Sequence, residues 1–353
     1  GEVIKKNSIS NPVDVNENPI LDISLFEENR LYRPMGGTVY KMFPVETIRG
    51  CPYKCRYCNS PDQERLYKNE TGKAFFRKRR MDLVAKELHH FKNNLGAEYL
   101  YFWADTFLAM SKTEFEEFCE IYSEIKLPFW IETRPETVND YNIGKLSAVG
   151  LDRISFGVEH GNEDFRLKVL GRLWKNEDII TALKVPHKYG VKFSVNNITG
   201  FPYETKKIAF DTIELNRHIE SDNQNIFTFV PFHGTPLRKT CEDLGLIKPE
   251  TITKCVTTDD TQISMSQYTP QEIKEVIRTF NMYVKFPRNR WKDIEKAEKE
   301  DTEGEKIYKE LREEFLEKYM PKPNADPRNS SKDFVFHAKS IDLAKNSHAD
   351  EMK

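Results

Sequence analysis

No stretch of this sequence approaches the ~18 uninterrupted apolar residues that a membrane-crossing helix needs. Its most apolar segment, residues 99–103, is flanked by Glu98 and Asp105. Net charge is nearly absent too, with 54 Lys and Arg against 56 Asp and Glu. Holding nucleic acid or anionic membrane by bulk electrostatics requires neutralising many phosphates, so this balance argues against a nucleic-acid partner. The basic run 77–80 is short and reads as a solvated helix start. No apolar signal region follows Gly1-Glu2-Val3, which gives the chain a cytoplasmic style. Cysteine is scarce and uneven: of six, Cys51, Cys55 and Cys58 crowd together while Cys119, Cys241 and Cys255 are scattered. A disulfide framework spreads its pairs through a small secreted chain, so clustering here points to metal or redox chemistry. What remains is a globular composition, 38% hydrophobic and 31% charged over 353 residues, which excludes wholesale disorder and predicts one large α/β domain or two ordinary ones.

Residues 1–40 carry many Asn, Pro and Gly with little periodicity and read as a leader or interdomain linker. From Pro44, short apolar runs alternate with amphipathic patterns, predicting strands at 45–48, 99–103, 129–133, 153–157, 191–198 and 225–230. Between the first two, Met81, Val84, Ala85, Leu88, Phe91 and Leu95 recur at helical spacing before Gly96. The next helix opens on Ser111 and Glu114, a capping-box pair, and presents Phe115, Phe118, Cys119 and Tyr122 on one face. Strands that alternate with helices run parallel through right-handed crossovers. Six such units predict a partial (β/α)6 barrel over residues 41–240, with chemistry at the C-terminal ends of its strands. Residues 241–320 read as a helical subdomain with an Ile273, Val276, Ile277, Phe280 stripe, and 321–353 as a flexible tail.

The segment Arg49-Gly50-Cys51-Pro52-Tyr53-Lys54-Cys55-Arg56-Tyr57-Cys58 puts CxxxCxxC on the loop leaving the first strand. A closed structural zinc site takes four ligands, yet the nearest histidines, His89 and His90, lie well along the next helix. Three ligands leave an open coordination position, and an open position is where a substrate or cofactor binds.

This spacing, with an aromatic residue before the last Cys, resembles the signature of the radical SAM superfamily. Further matches are Gly157-Val158-Glu159-His160-Gly161-Asn162, Gly200-Phe201-Pro202-Tyr203-Glu204-Thr205 and Pro231-Phe232-His233-Gly234-Thr235-Pro236, each after a predicted strand. The resemblance covers about residues 16–245. It is closest to the cobalamin-dependent branch, where a linker like Asn18-Pro19-Ile20-Leu21-Asp22 precedes Arg-Gly-Cys-Pro. It implies that Cys51, Cys55 and Cys58 hold a 4Fe-4S cluster that cleaves S-adenosylmethionine to a 5′-deoxyadenosyl radical, the protein orienting the cofactor. It further implies a small-molecule or metabolite substrate and an external electron donor such as flavodoxin or ferredoxin.

Carried over residue by residue, the resemblance sets Tyr57 beside the adenine and Arg172 against the methionyl carboxylate. Glu159 would face the ribose hydroxyls or the amino group, Asn196 the ribose, and Val230 and Pro231 the adenine. Where many relatives carry Gly-Gly-Glu after the second strand, Ala104-Asp105-Thr106-Phe107 stands, making Asp105 the candidate there. Tyr203 and His233 occupy positions where relatives often have small residues, and are read either as lining the substrate side or, ahead of that, as packing or loop chemistry. Cys119 reads as a buried thiol, and Trp103, Trp130 and Trp174 as packing. An auxiliary cluster would require Cys119, Cys241 and Cys255 to be gathered by the fold. No Asp-x-His-x-x-Gly cobalamin signature occurs, and residues 1–40 are too few for a cobalamin domain. The expectation is a methyltransferase if such a domain belongs to the protein. Alternatives are a cobalamin-independent hydrogen-abstracting oxidase, isomerase or cyclase, and a non-catalytic metal knuckle. No Cys precedes Cys51 to hold the second cluster of a methylthiotransferase.

Overall fold

In the computed structural model, which describes residues 7–254 and 261–320, the alternating pattern folds into one curled, open sheet of seven strands. In chain order the strands are β1 (Tyr32–Met35), β2 (Thr38–Glu46), a small antiparallel pair β3 (Ile48–Arg49) and β4 (Arg77–Lys78), β5 (Tyr99–Trp103), β6 (Phe129–Thr133), β7 (Leu151–Glu159), β8 (Lys192–Thr199) and β9 (Asn223–Thr228). The large sheet runs β1-β2-β5-β6-β7-β8-β9. Its last six strands are parallel and in sequence order, which is the predicted partial barrel.

The first barrel helices are α1 (Ser60–Thr71), α2 (Met81–Asn93), α3 (Lys112–Ile125) and α4 (Asp140–Val149). They are followed by α5 (Glu163–Lys168), α6 (Asn176–Ala182), α7 (Val185–Lys188), α8 (Lys206–Arg217) and α9 (Pro236–Asp243). The expected Ser111–Glu114 capping box starts α3, satisfying two otherwise orphaned amides. Its apolar face meets the sheet in a knot of rings. Phe102 of β5 stands edge-on to Phe107, Phe118 and Phe129 with centroids 5.1, 5.3 and 5.5 Å away, a packing mode that adds to the area the rings bury.

Beyond the barrel come α10 (Pro270–Lys285), α11 (Trp291–Ala297) and α12 (Thr302–Tyr319). Helix α10 buries Ile273 and Val276 in one core with Phe201 and Phe229, and packs on α8 and β9. It thereby protects the β9 end of the sheet, where unpaired backbone groups would otherwise be exposed.

Several details differ from the sequence expectations. Strand β2 begins at Thr38 and β1 pairs with it antiparallel, so the sheet reaches into the segment read as a leader. Gly36 and Gly37, both at positive φ (59° and 89°), make the two-residue hairpin turn between Met35 and Thr38. Helix α1 was not anticipated because it buries only Ser60 and so shows no apolar stripe. Only Arg80 of the run 77–80 is a solvated helix start, as the exposed N-cap of α2; Arg77 and Lys78 form β4, and Arg79 is buried against Glu87 at 2.5 Å. Trp103 does not pack in the barrel either, since it ends β5 and is 66% exposed. Cys119 and Cys241 lie in separate cores, while Cys255 and the 321–353 tail fall outside the described residues.

Candidate active site

The cysteine loop links β3 to α1 and is stitched to two neighbours. The Arg56 amide donates to Leu170 O (3.0 Å), and Arg56 O accepts from the Leu237 amide at the start of α9 (3.1 Å). Each sulfur has a donor nearby. The Tyr53 amide donates to Cys51, whose sulfur also lies 3.5 Å from Thr106 Oγ1. The Ser60 amide donates to Cys58, and Arg134 Nη1 donates to Cys55 Sγ at 3.1 Å. Burial pushes the Cys51 thiol up and the Cys58 thiol up to about 12, so a metal must displace protons to bind here.

Beside this loop, at the C-terminal ends of the strands, lies a cavity of about 230 Å³. Four predicted residues line it: Tyr57, Glu159, Asn196 and Val230. Glu159 reaches its place through two backbone irregularities. Register slips between Gly157 and Glu159, leaving Val158 as the extra residue, and Glu159 itself has φ 74°. A bulge plus a left-handed non-glycine residue costs stability and re-aims a side chain, a combination found at functional sites. A Cβ at Gly157 would lie 2.4 Å from Glu159 Oε1, so a larger residue there would have to displace that carboxylate.

Arg172 is buried and joins these elements. Its Nη1 donates to Glu159 Oε1 at 2.9 Å and lies 3.4 Å from the Tyr57 hydroxyl, and its Nη2 donates to Glu136 Oε2 at 3.2 Å. Burial alone would lower its pKa, but Tyr57, Glu159 and Glu136 hold it well above the usual value, so it is a permanent cation. It therefore meets two protein carboxylates, a set of partners the sequence did not reveal. Asn196 is equally fixed, donating to Ser155 Oγ (2.8 Å) and accepting from Asn225 Nδ2 (2.9 Å). Asp105 is exposed, accepts from Ser60 Oγ, and does not line the cavity. Tyr203, at φ 69°, and His233 are both exposed.

Three residues were missed. Glu132 of β6 lines the cavity, and burial, then the nearby Glu159 and Asp105 charges, push its carboxyl up to about 7. Arg134 pairs with Glu136 at 2.6 Å, and its guanidinium carbon lies over the Tyr53 ring, 3.8 Å from the centroid. Burial raises the pKa of Glu136, but Arg172 and Arg134 outweigh it and hold the carboxyl below its usual range. The signal was present: Glu132-Thr133-Arg134-Pro135-Glu136 is a charged run at the C-terminal end of a predicted strand, where ligands bind in such folds.

The other strand-end motifs brace this arrangement. The Asn162 amide donates to His160 Nδ1 (3.0 Å), so Nε2 carries the ring proton and donates to Glu204 Oε1 (3.2 Å). Glu204 Oε2 accepts from the Gly200 and Phe201 amides at 2.6 and 2.9 Å. The loops after β7 and β8 are thus locked together by a buried, satisfied network.

Comparisons with known proteins bear on the family and the fold. Residues 45–215 match the Radical SAM superfamily. The chain carries a radical SAM domain. An uncharacterized methyltransferase of Pyrococcus horikoshii is 26% identical over 254 residues, 71% of this chain and 53% of that protein. A tRNA-2-methylthio-N(6)-dimethylallyladenosine synthase of Halalkalibacterium halodurans is 30% identical over 118 residues, 32% of this chain and 22% of that protein. Among solved structures, the cobalamin-dependent S-adenosylmethionine radical enzyme OxsB with aqua-cobalamin bound superposes with a TM-score of 0.50 at 15% identity, covering 86% of this chain and 50% of OxsB. That likeness concerns the fold. The chain spans about half the length of the methyltransferase and of OxsB.

A radical SAM domain implies an iron-sulfur cluster and S-adenosylmethionine, and the residues present suit both. The three thiols are served by N–H donors of the kind that stabilise thiolate ligands, and among the described residues Arg134 Nε is a buried donor without a partner beside them.

Proposed function

We propose that this radical SAM domain binds a four-iron, four-sulfur cluster through Cys51, Cys55 and Cys58. In this reading it binds S-adenosylmethionine in the adjoining cavity and functionalises an unactivated centre of a small molecule, by methyl transfer with cobalamin. The observation that carries the reading is the cavity itself. Tyr57, Glu159, Asn196 and Val230 come from separate stretches of sequence, yet they line one space next to the cysteine loop.

Bound there, the cluster supplies the electron that splits the S-adenosylmethionine sulfonium. The chain's own residues bind and orient. Tyr57, edge-on to Phe201 at 5.9 Å, offers a ring wall to the adenine, with Val230 and Phe232 lining the same space. Asn196 and Glu159 offer polar contacts to the ribose. Glu132, which has no arginine against it, offers a carboxylate to a positively charged group. The apolar share of the lining, with Ile198, Phe227 and Phe229, keeps water from a reactive centre.

Methyl transfer is supported by the methyltransferase relative and by the linker-like Asn18-Pro19-Ile20-Leu21-Asp22 ahead of Arg49-Gly50-Cys51-Pro52. Cobalamin and an external electron donor come with that reading. The decisive experiment is anaerobic reconstitution with iron and sulfide, followed by S-adenosylmethionine, a strong reductant and hydroxocobalamin, which the reductant converts to cob(I)alamin, the acceptor for the methyl group. About four irons per chain and release of 5′-deoxyadenosine are expected, with S-adenosylhomocysteine as the mark of methyl transfer. 5′-Deoxyadenosine without S-adenosylhomocysteine would assign the chain to hydrogen abstraction, and uptake of one zinc without a cluster would overturn the reading.

A further inference from the structure

We infer that Arg134 sets the reduction potential of the cluster by bonding the Cys55 sulfur. The inference rests on the cluster reading above and adds a function for a residue outside the cysteine motif. Arg134 Nη1 donates to Cys55 Sγ at 3.1 Å, while Nη2 is held by Glu136 at 2.6 Å. The guanidinium carbon lies over the Tyr53 ring, 3.8 Å from its centroid, which confines the side chain on that side. Residues Arg134 and Glu136 have side-chain exposures of only 11% and 9%, so water screens them little. Among the described residues Arg134 Nε remains buried without a partner.

Taking up one electron from a low-potential one-electron donor adds one negative charge to the cluster, and nothing leaves. Some of that charge falls on the thiolate sulfurs. A cation that also donates a hydrogen bond to one of them stabilises the reduced form more than the oxidised form, and so raises the potential; hydrogen bonds to sulfur are an established control of cluster potential. Glu136 acts in the opposite sense. It fixes Arg134 in place, and its negative charge offsets part of the guanidinium's effect.

The opposite signs provide the test. The full chain is reconstituted as wild type, R134Q and E136Q, iron content is measured, and reduction is followed by electron spin resonance at a series of poised potentials. At the potential where half the wild-type cluster is reduced, the reduced-to-oxidised ratio should fall about tenfold in R134Q, equivalent to about 59 mV for one electron. In E136Q the ratio should rise. A ratio in R134Q equal to the wild type, with the irons retained, would overturn the inference, as would both variants moving in the same direction. Where R134Q assembles no cluster, E136Q decides alone, and no rise overturns it. A wild-type chain that takes up no cluster overturns this inference and the proposed function together, whereas a loaded wild type with unmoved variants overturns only the role of Arg134.

Discussion

Glu132 gives the sharpest thermodynamic prediction. It sits on β6, lines the cavity with Glu159, and has its carboxyl raised from an ordinary value near 4.5 to about 7 by burial, Glu159 and Asp105, in that order. The unfolded chain loses this proton near pH 4.5, whereas the native chain keeps it to about pH 7. Across that window the native state binds more protons, so stability falls as pH rises and levels off once the native carboxyl has ionised. The full difference is roughly 3 kcal/mol above pH 7, at about 1.4 kcal/mol per pH unit between the two values. Glu132→Gln removes the titration while keeping the shape. The variant should match the wild type at pH 4.5 and exceed it by roughly 2 to 3 kcal/mol at pH 8. Urea unfolding of the ligand-free chain at a series of pH values measures both limits. A stability gap between variant and wild type that is the same at pH 5 and pH 8 would refute the reasoning. In the proposed function the cost is offset by ligand. The sulfonium and ammonium of S-adenosylmethionine favour the ionised carboxylate, so wild-type affinity should rise between pH 6 and pH 8 and that of Glu132→Gln should not.

Arg172→Ala leaves Glu159 and Glu136 buried without their shared cation, and should destabilise the fold by about 3 to 5 kcal/mol in urea. Adding Glu159→Gln should recover part of that loss, and full stability of the single variant would show that the pair is not buried in solution. Gly157→Ala puts a methyl group 2.4 Å from Glu159 Oε1 and 3.5 Å from Arg172 Nη1. It should cost about 1 to 3 kcal/mol by overpacking and weaken S-adenosylmethionine binding in calorimetry. Cys58→Ser should abolish iron uptake yet shift the unfolding free energy of the metal-free chain by less than about 1 kcal/mol, since Cys58 belongs to none of the hydrophobic cores. A circular dichroism melt that shows a collapsed barrel would favour a structural metal knuckle instead.

How far the sequence could be read depended on how much apolar surface each segment buries. Strands β5 and β6 were legible to the residue because Tyr99–Trp103 is a short apolar run after Glu98, and Phe129-Trp130-Ile131 is one between Pro128 and Glu132. Strand β2 was found only at its end. Its first residues, Thr38-Val39-Tyr40-Lys41, mix polar and apolar side chains and are half-buried apart from Thr38, because on that side they meet the exposed edge strand β1 rather than a helix. Strand β1 itself carries Pro34 and an exposed pattern, which is tolerated at an edge and looks like a linker in sequence. Pairing Arg79 with Glu87 likewise lies beyond local patterns, since a run of four basic residues gives no hint that the third one turns inward.

For the site, local sequence supplied the actors and the fold supplied their pairing. Tyr57, Glu159, Asn196 and Val230 were found from motifs, but nothing in those motifs says that Arg172 divides its two edges between Glu159 and Glu136. That pairing changes what Arg172 can do. The guanidinium is already neutralised by protein carboxylates, so it is no longer free to serve as the dedicated partner of a ligand carboxylate. Its first task is to hold Glu159 in the left-handed conformation that β7 imposes. With Arg172 and Arg134 both paired, Glu132 lines the cavity with no arginine against it among the described residues. Once Glu132 is ionised the local balance is therefore negative even before thiolates form. A cationic ligand relieves that excess, an anionic one increases it, and S-adenosylmethionine, with two positive groups against one carboxylate, has the sign that the cavity calls for.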